Sequence, residues 1–138
     1  MKKYIIYTDG ASRGNPGPAA SAFVIMDSES QILIKRSVYL GETTNNVAEY
    51  MAVKEALKAI KEEFGSLLPV QVIINSDSRL IVEQLSGRFK IKDEKMKRLY
   101  QEIKPLEIEV GAVFYNQIPR EKNTVTDQLA NNELDSQK

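Results

Sequence analysis

Asp9, Glu49, Asp77 and Asp127 are the residues with which this chain could do chemistry, because the histidines and cysteines that serve most active sites are missing. Its 138 residues include no cysteine and no histidine. That excludes thiol catalysis, a Ser–His–Asp triad, an imidazole base, and zinc held by thiolate or imidazole. Carboxylates, hydroxyls, amides, Lys, Arg and Tyr remain, served by a metal that prefers oxygen. Each carboxylate also has an ordinary structural explanation. Asp9 precedes Gly10, and Asp-Gly is a favoured hairpin pair. Glu49 follows Asn46 by three, the spacing of a capping box. It also shares a helix face with Val53, Ala56 and Ile60, where an unsatisfied carboxylate is costly. Asp77 or Ser78 suits a helix N-cap, and Asp127 follows Thr124 by three, again as in a capping box.

These explanations serve the residues one at a time and leave their convergence unexplained. Strand ends and the helix starts beside them form the usual ligand crevice of an α/β sheet. Like charges a few ångströms apart in such a crevice repel by several kcal/mol at an effective dielectric of about 20. The cluster therefore needs protons or a hard cation. Mg²⁺ takes oxygen ligands and bridges carboxylates to substrate phosphates. Two such ions about 4 Å apart activate water and stabilise the leaving oxygen in phosphodiester cleavage.

The elements that would position these residues follow from hydrophobic period. Residues 4–10, YIIYTDG, read as a strand, and the Gly- and Pro-rich ASRGNPGPAA as a loop or wide hairpin turn. SAFVIMDS and QILIKRSVYL read as two strands joined by a hairpin. Val53, Leu57, Ile60 and Phe64 mark a helix over 46–64. PVQVIINSD is a buried strand, and the helix that follows it stops before Gly87. A helix over 93–104 should stop at Pro105, LEIEVGAVFYNQI should form a fifth strand, and 124–134 a last helix. The order β-β-β-α-β-α-α-β-α implies an α/β fold with a mixed sheet flanked by helices.

Length and composition fit one soluble domain over 1–134, with 135–138 a frayed tail. No apolar run approaches the roughly 20 residues of a membrane span, and Asp9 interrupts the first run too early for a signal peptide. The expectation is a cytoplasmic monomer. Nineteen basic residues balance nineteen acidic ones, so net charge does not advertise a polyanionic partner.

Four segments, YTDGASRGNPGPAA, TTNNVAEYMAVKEAL, INSDSRLIVEQL and NTVTDQLA, resemble, in order, the signature blocks of type 1 ribonuclease H. The resemblance covers residues 1–134. It implies a ribonuclease H-like fold, with three antiparallel strands and then parallel ones in a five-stranded sheet. It also implies two Mg²⁺ ions (Mn²⁺ as a substitute) and hydrolysis of the RNA strand of an RNA–DNA hybrid to 5′-phosphate and 3′-hydroxyl ends. Asp9, Glu49, Asp77 and Asp127 match the family's metal-binding carboxylates. Ser12 and Asn15 match its minor-groove loop, Asn45 and Asn46 the amides that touch both strands, and Thr44 a threonine on a DNA phosphate. Minor-groove polar groups can sense the 2′-hydroxyl.

The sequence also departs from the family. The loop NQIPREKN has no histidine where many members carry one, leaving Gln117, Arg120 or Glu121 as stand-ins. Glu42 stands where some relatives carry an arginine. The tryptophan-bearing basic protrusion is reduced to RFKIKDEKMKR, residues 88–98, with six basic and two acidic residues. Lys90 and Lys92 in this run are candidate phosphate ligands, and a solvated helix face is the competing explanation. Two rival functions stand beside hybrid cleavage: the same chemistry on double-stranded RNA, and a hybrid-binding module without activity. A junction resolvase of the same fold is disfavoured by the GNPGP and TTNN blocks.

Overall fold

The computed structural model describes residues 1–137. Five strands and four helices follow the expected order: β1 (Lys3–Ser12), β2 (Gly17–Asp27), β3 (Ile32–Thr43), α1 (Asn45–Phe64), β4 (Val70–Ser76), α2 (Arg79–Leu85), α3 (Glu94–Val110), β5 (Gly111–Gln117) and α4 (Thr124–Ser136). The strands form one sheet in the order β3-β2-β1-β4-β5. β2 runs antiparallel to β1 and β3, and β4 runs parallel to β1 and β5. This is the mixed sheet that hairpins followed by helical crossovers should give.

Alternation along the strands divides the sheet into two faces. Tyr4, Ile6, Phe23, Ile25, Val72 and Ile74 are buried in one core with Val53, Leu57 and Ile60 of α1 and Met96, Leu99 and Ile103 of α3. Ala52, Ala56 and Ala59 are also buried, and their small side chains let α1 lie close to its neighbours. α4 packs on the opposite face against β1, β2 and β3, where Ser37 Oγ donates to Glu133 Oε1 at 2.8 Å. Near its end β1 loses its alternation: Thr8, Asp9 and Gly10 are all buried, because α1 and α4 flank it on both sides.

Three expectations need correction. The hairpin between β1 and β2 takes up less of ASRGNPGPAA than expected, since the two strands stay paired out to Ser12 and Ala19. The helix over 93–104 does not stop at Pro105, which lies inside α3. Pro105 removes one N–H and frees the carbonyl of Gln101, but both residues are exposed, so water can take that carbonyl. Third, the stretch LEIEV is helical, and β5 starts at Gly111. Leu106 and Val110 extend the stripe of Met96, Leu99 and Ile103 at helical spacing, while Ile108 is 81% exposed. Burial against the core thus overrides the local alternation. Gly111 ends α3 with φ of 137°, and a Cβ there would lie 2.2 Å from the Val70 carbonyl oxygen.

At the other end, α4 reaches Ser136, past Leu134; the last residue of the expected tail, Lys138, lies outside the described residues. Among the described residues no helix is long and apolar enough to cross a membrane.

Candidate active site

The carboxylates do not act as the caps and turns that could have explained them. Thr44 caps α1, its side chain accepting from the Val47 N–H at 3.2 Å, so Asn46 is not the cap. Ser78 caps α2 by accepting from the Ile81 N–H at 3.3 Å, which leaves Asp77 outside the helix. α4 has no side-chain cap bond. Asp9-Gly10 is no hairpin turn either, because β1 continues to Ser12.

Gly10 instead resolves a packing problem. A Cβ there would stand 2.4 Å from the Ala48 carbonyl carbon and from the Glu49 nitrogen. Only glycine lets α1 approach β1 this closely. Its N–H then donates to Glu49 Oε1 at 2.9 Å and to Asp9 Oδ1 at 3.0 Å. Ser21 Oγ donates to the Ala48 carbonyl at 2.6 Å and ties the same turn of α1 to β2.

Asp9, Glu49 and Asp77 offer oxygen atoms that all lie within 4.8 Å of one another. Asp9 and Glu49 are only 4% and 3% exposed, and Asp77 is half-buried. Burial raises the Asp9 carboxyl to about 7; Glu49 beside it works against the rise, and repulsion from Asp77 and Asp127 adds to it. Burial also pushes Glu49 well above the usual carboxylate range, and Asp9 beside it adds to the effect. Glu49 Oε2 is buried with no hydrogen-bond partner. An orphaned carboxylate oxygen beside two more carboxylates fits an oxygen-preferring cation. Asp127 stands apart from this trio, exposed on the first turn of α4, yet near enough to Asp9 to help raise its carboxyl.

Asn123 is a residue of the candidate site that the sequence did not reveal. It is 1% exposed and donates Nδ2 to the Thr8 carbonyl at 2.9 Å and to Asp77 Oδ2 at 3.2 Å. It thereby fixes Asp77 to the end of β1. The only local signal is an amide just before a helix, which reads as a cap.

Several of the expected binding residues lie around the start of α1. Asn15 Oδ1 accepts from the Asn45 N–H at 3.0 Å, joining the β1–β2 turn to the start of α1. Ser12 ends β1, Thr44 caps α1, and Asn45 and Asn46 form its first turn. Lys90 and Lys92 are exposed in the segment before α3. Lys95, on the first turn of α3, donates to Thr43 Oγ1 at 3.3 Å, which brings the end of that segment to the end of β3.

Comparison with known proteins places this geometry. Residues 7–133 match the family described as reverse transcriptase-like. A bifunctional protein of Mycobacterium tuberculosis is 36% identical over 135 residues, covering 97% of this chain and 36% of that protein. Ribonuclease HI of Halobacterium salinarum is 36% identical over 131 residues, covering 94% of this chain and 63% of that protein. The chain thus spans less than two thirds of either relative. The solved structure of LC11-RNase H1, isolated from compost by a metagenomic approach, superposes with a TM-score of 0.93 at 43% identity, covering 99% of this chain and 98% of that one. The same protein in complex with an RNA/DNA hybrid gives 0.90 at 42% identity, covering 94% of each chain.

Proposed function

Because the chain belongs to the reverse transcriptase-like family, among its type 1 ribonuclease H members, we propose that it is an endonuclease cutting the RNA strand of RNA–DNA hybrids. The observation that carries this reading is the trio Asp9, Glu49 and Asp77, the first two buried and the third half-buried, with the unpartnered Glu49 Oε2 among them. Like charges held this close are a standing cost to the fold, which a cation would relieve.

Asp9, Glu49 and Asp77 would hold the metal, and Asp127 would complete the set from α4. When bound, two divalent cations, Mg²⁺ with Mn²⁺ as a substitute, would polarise the scissile phosphate, activate water and stabilise the leaving oxygen, giving 5′-phosphate and 3′-hydroxyl products. The protein's own groups do the rest. Gly10 N–H orients both Asp9 and Glu49, and Asn123 orients Asp77. Such fixed ligands need little rearrangement when substrate arrives. Ser12, Asn15, Asn45 and Asn46 offer hydroxyl and amide groups to a minor groove, where a 2′-hydroxyl marks the RNA strand. Thr44, Lys90 and Lys92 would take backbone phosphates.

The test is incubation of end-labelled RNA–DNA hybrid, RNA duplex and DNA duplex with the chain, with and without Mg²⁺. Metal-dependent cutting of the hybrid's RNA strand is the expected result. Equal cutting of the RNA duplex would support the broader substrate range, and binding without cutting in either metal would support a non-catalytic module.

A further inference from the structure

Tyr50 follows Glu49 in sequence but is fully buried in the core shared with α3. Its hydroxyl donates to Gln84 Oε1 at 2.7 Å. Gln84, only 4% exposed, passes the connection outward: its Nε2 donates to the Lys90 carbonyl at 3.1 Å. A phenol and an amide are expensive to bury, and an apolar pair of similar size would fill the same space. Here both polar groups are satisfied, and the chain of bonds ends on a surface segment.

That segment is basic and lacks regular structure. α2 ends at Leu85, and the turn after it is closed by the Arg88 and Phe89 N–H groups on the Glu83 carbonyl. Arg88 is held by a two-point ion pair with Glu83. At the far end Asp93 caps α3 by accepting from the Met96 N–H at 2.9 Å, and Lys95 reaches Thr43. Between these anchors lie Lys90, Ile91 and Lys92, with Ile91 packed on the core and Gln84 gripping the Lys90 carbonyl.

We infer that Tyr50 and Gln84 form a positioning relay from α1 to the basic segment, holding Lys90 and Lys92 where they meet the sugar–phosphate backbone of the hybrid. The relay sets substrate affinity and leaves the bond-breaking step alone. It rests on the hybrid-cleavage function proposed above. Neither residue touches substrate; both act through the backbone of Lys90.

Tyr50→Phe deletes the hydroxyl alone, and Gln84→Met keeps the length without the amide. KM and single-turnover kcat on the hybrid are measured with Mg²⁺, direct Kd with Ca²⁺ across a salt series, and melting temperature alongside. Each variant should raise KM and Kd about five-fold, the loss of roughly one hydrogen bond's worth of ordering. Single-turnover kcat should stay within a factor of about two. Both effects should vanish when Lys90 and Lys92 are already Gln, because the relay then has nothing to position. Unchanged KM and Kd overturn the relay, as does an equal rise in the neutralised background, or a fall in kcat matching the rise in KM. A lowered melting temperature with normal Kd assigns Tyr50 to the core alone and also overturns it. If Tyr50→Phe does not fold, Gln84→Met carries the same test. A parent chain that binds hybrid without cutting it defeats the proposed activity, while the Kd series still decides the relay.

Discussion

Two charged regions of this molecule behave in opposite ways. At the ends of β1 and β4, Asp9, Glu49 and Asp77 are packed together, two of them nearly inaccessible, with Asp9 and Glu49 raised far above their ordinary range. In the segment from Arg88 to Arg98 the cations spread over an exposed surface, and Arg88 is paired with Glu83 while Lys97 lies near Glu94. Exposed charge costs the fold little and so says little about purpose. Buried like charge costs the fold a great deal. The first region is therefore strong physical evidence of a site, whereas the second needs a binding experiment before it counts as one.

The sharpest way to break this contrast is at Asp9. Asp9→Asn should abolish hybrid cleavage, by about a thousand-fold or more, because it removes a ligand from the proposed cation site. The metal-free variant should fold and melt at a higher temperature than the parent, since a repelling charge is gone. Asp77→Asn should lose activity similarly, and with Ser78 capping α2 it should leave that helix intact. Near-normal turnover in either variant would rule out the metal site.

Gly10→Ala tests whether close approach, and not turn geometry, makes this glycine necessary. The new methyl would meet the backbone of Ala48 and Glu49, so α1 must shift. Chemical denaturation should show a loss of about 1–3 kcal/mol, with a fall in kcat as Glu49 moves. An unaffected variant would show that β1 and α1 have slack here.

The pH dependence of the metal-free protein follows from the sign of the shift. Folded Asp9 titrates at about 7, while in the unfolded chain an aspartate titrates near about 4. Between those values the unfolded chain has released a proton that the folded one retains. Stability should fall as pH rises through this window, by up to about 1.4 kcal/mol per pH unit. Glu49, also raised, adds in the same direction. Thermal melts with and without Mg²⁺ check this: the metal should stabilise more at pH 8 than at pH 5. A metal-free melting temperature that rises through the window would contradict the burial of the pair.

The smallest effect belongs to the basic segment. Changing Lys90 and Lys92 to Gln should alter stability by no more than about 0.5 kcal/mol. It should reduce the slope of log K against log salt by about one for each phosphate that is no longer neutralised. An unchanged slope would return these lysines to ordinary solvated surface.

Much of this protein was legible before any coordinates. Strand alternation, the helical stripe of Val53, Leu57 and Ile60, and the element order led to the mixed sheet, because short-range periodicity records which side of an element meets the core. Absence of His and Cys narrowed the chemistry to carboxylates, hydroxyls, amides, Lys, Arg and Tyr, served by an oxygen-preferring ion. Other features had no local record. The sequence LEIEV alternates like a strand, and only packing of Leu106 and Val110 beside Ile103 made it the end of α3. Nothing within TDGAS states that Gly10 makes room for α1, since the constraint comes from Ala48 and Glu49, some forty residues away. Asn123 reads as a helix cap until Thr8 and Asp77 are seen around its amide. Residue types and spacing are fixed by the chain itself and reveal which groups could act. Their convergence, burial and orphaned oxygen depend on neighbours distant in sequence, and only the folded structure brings those together.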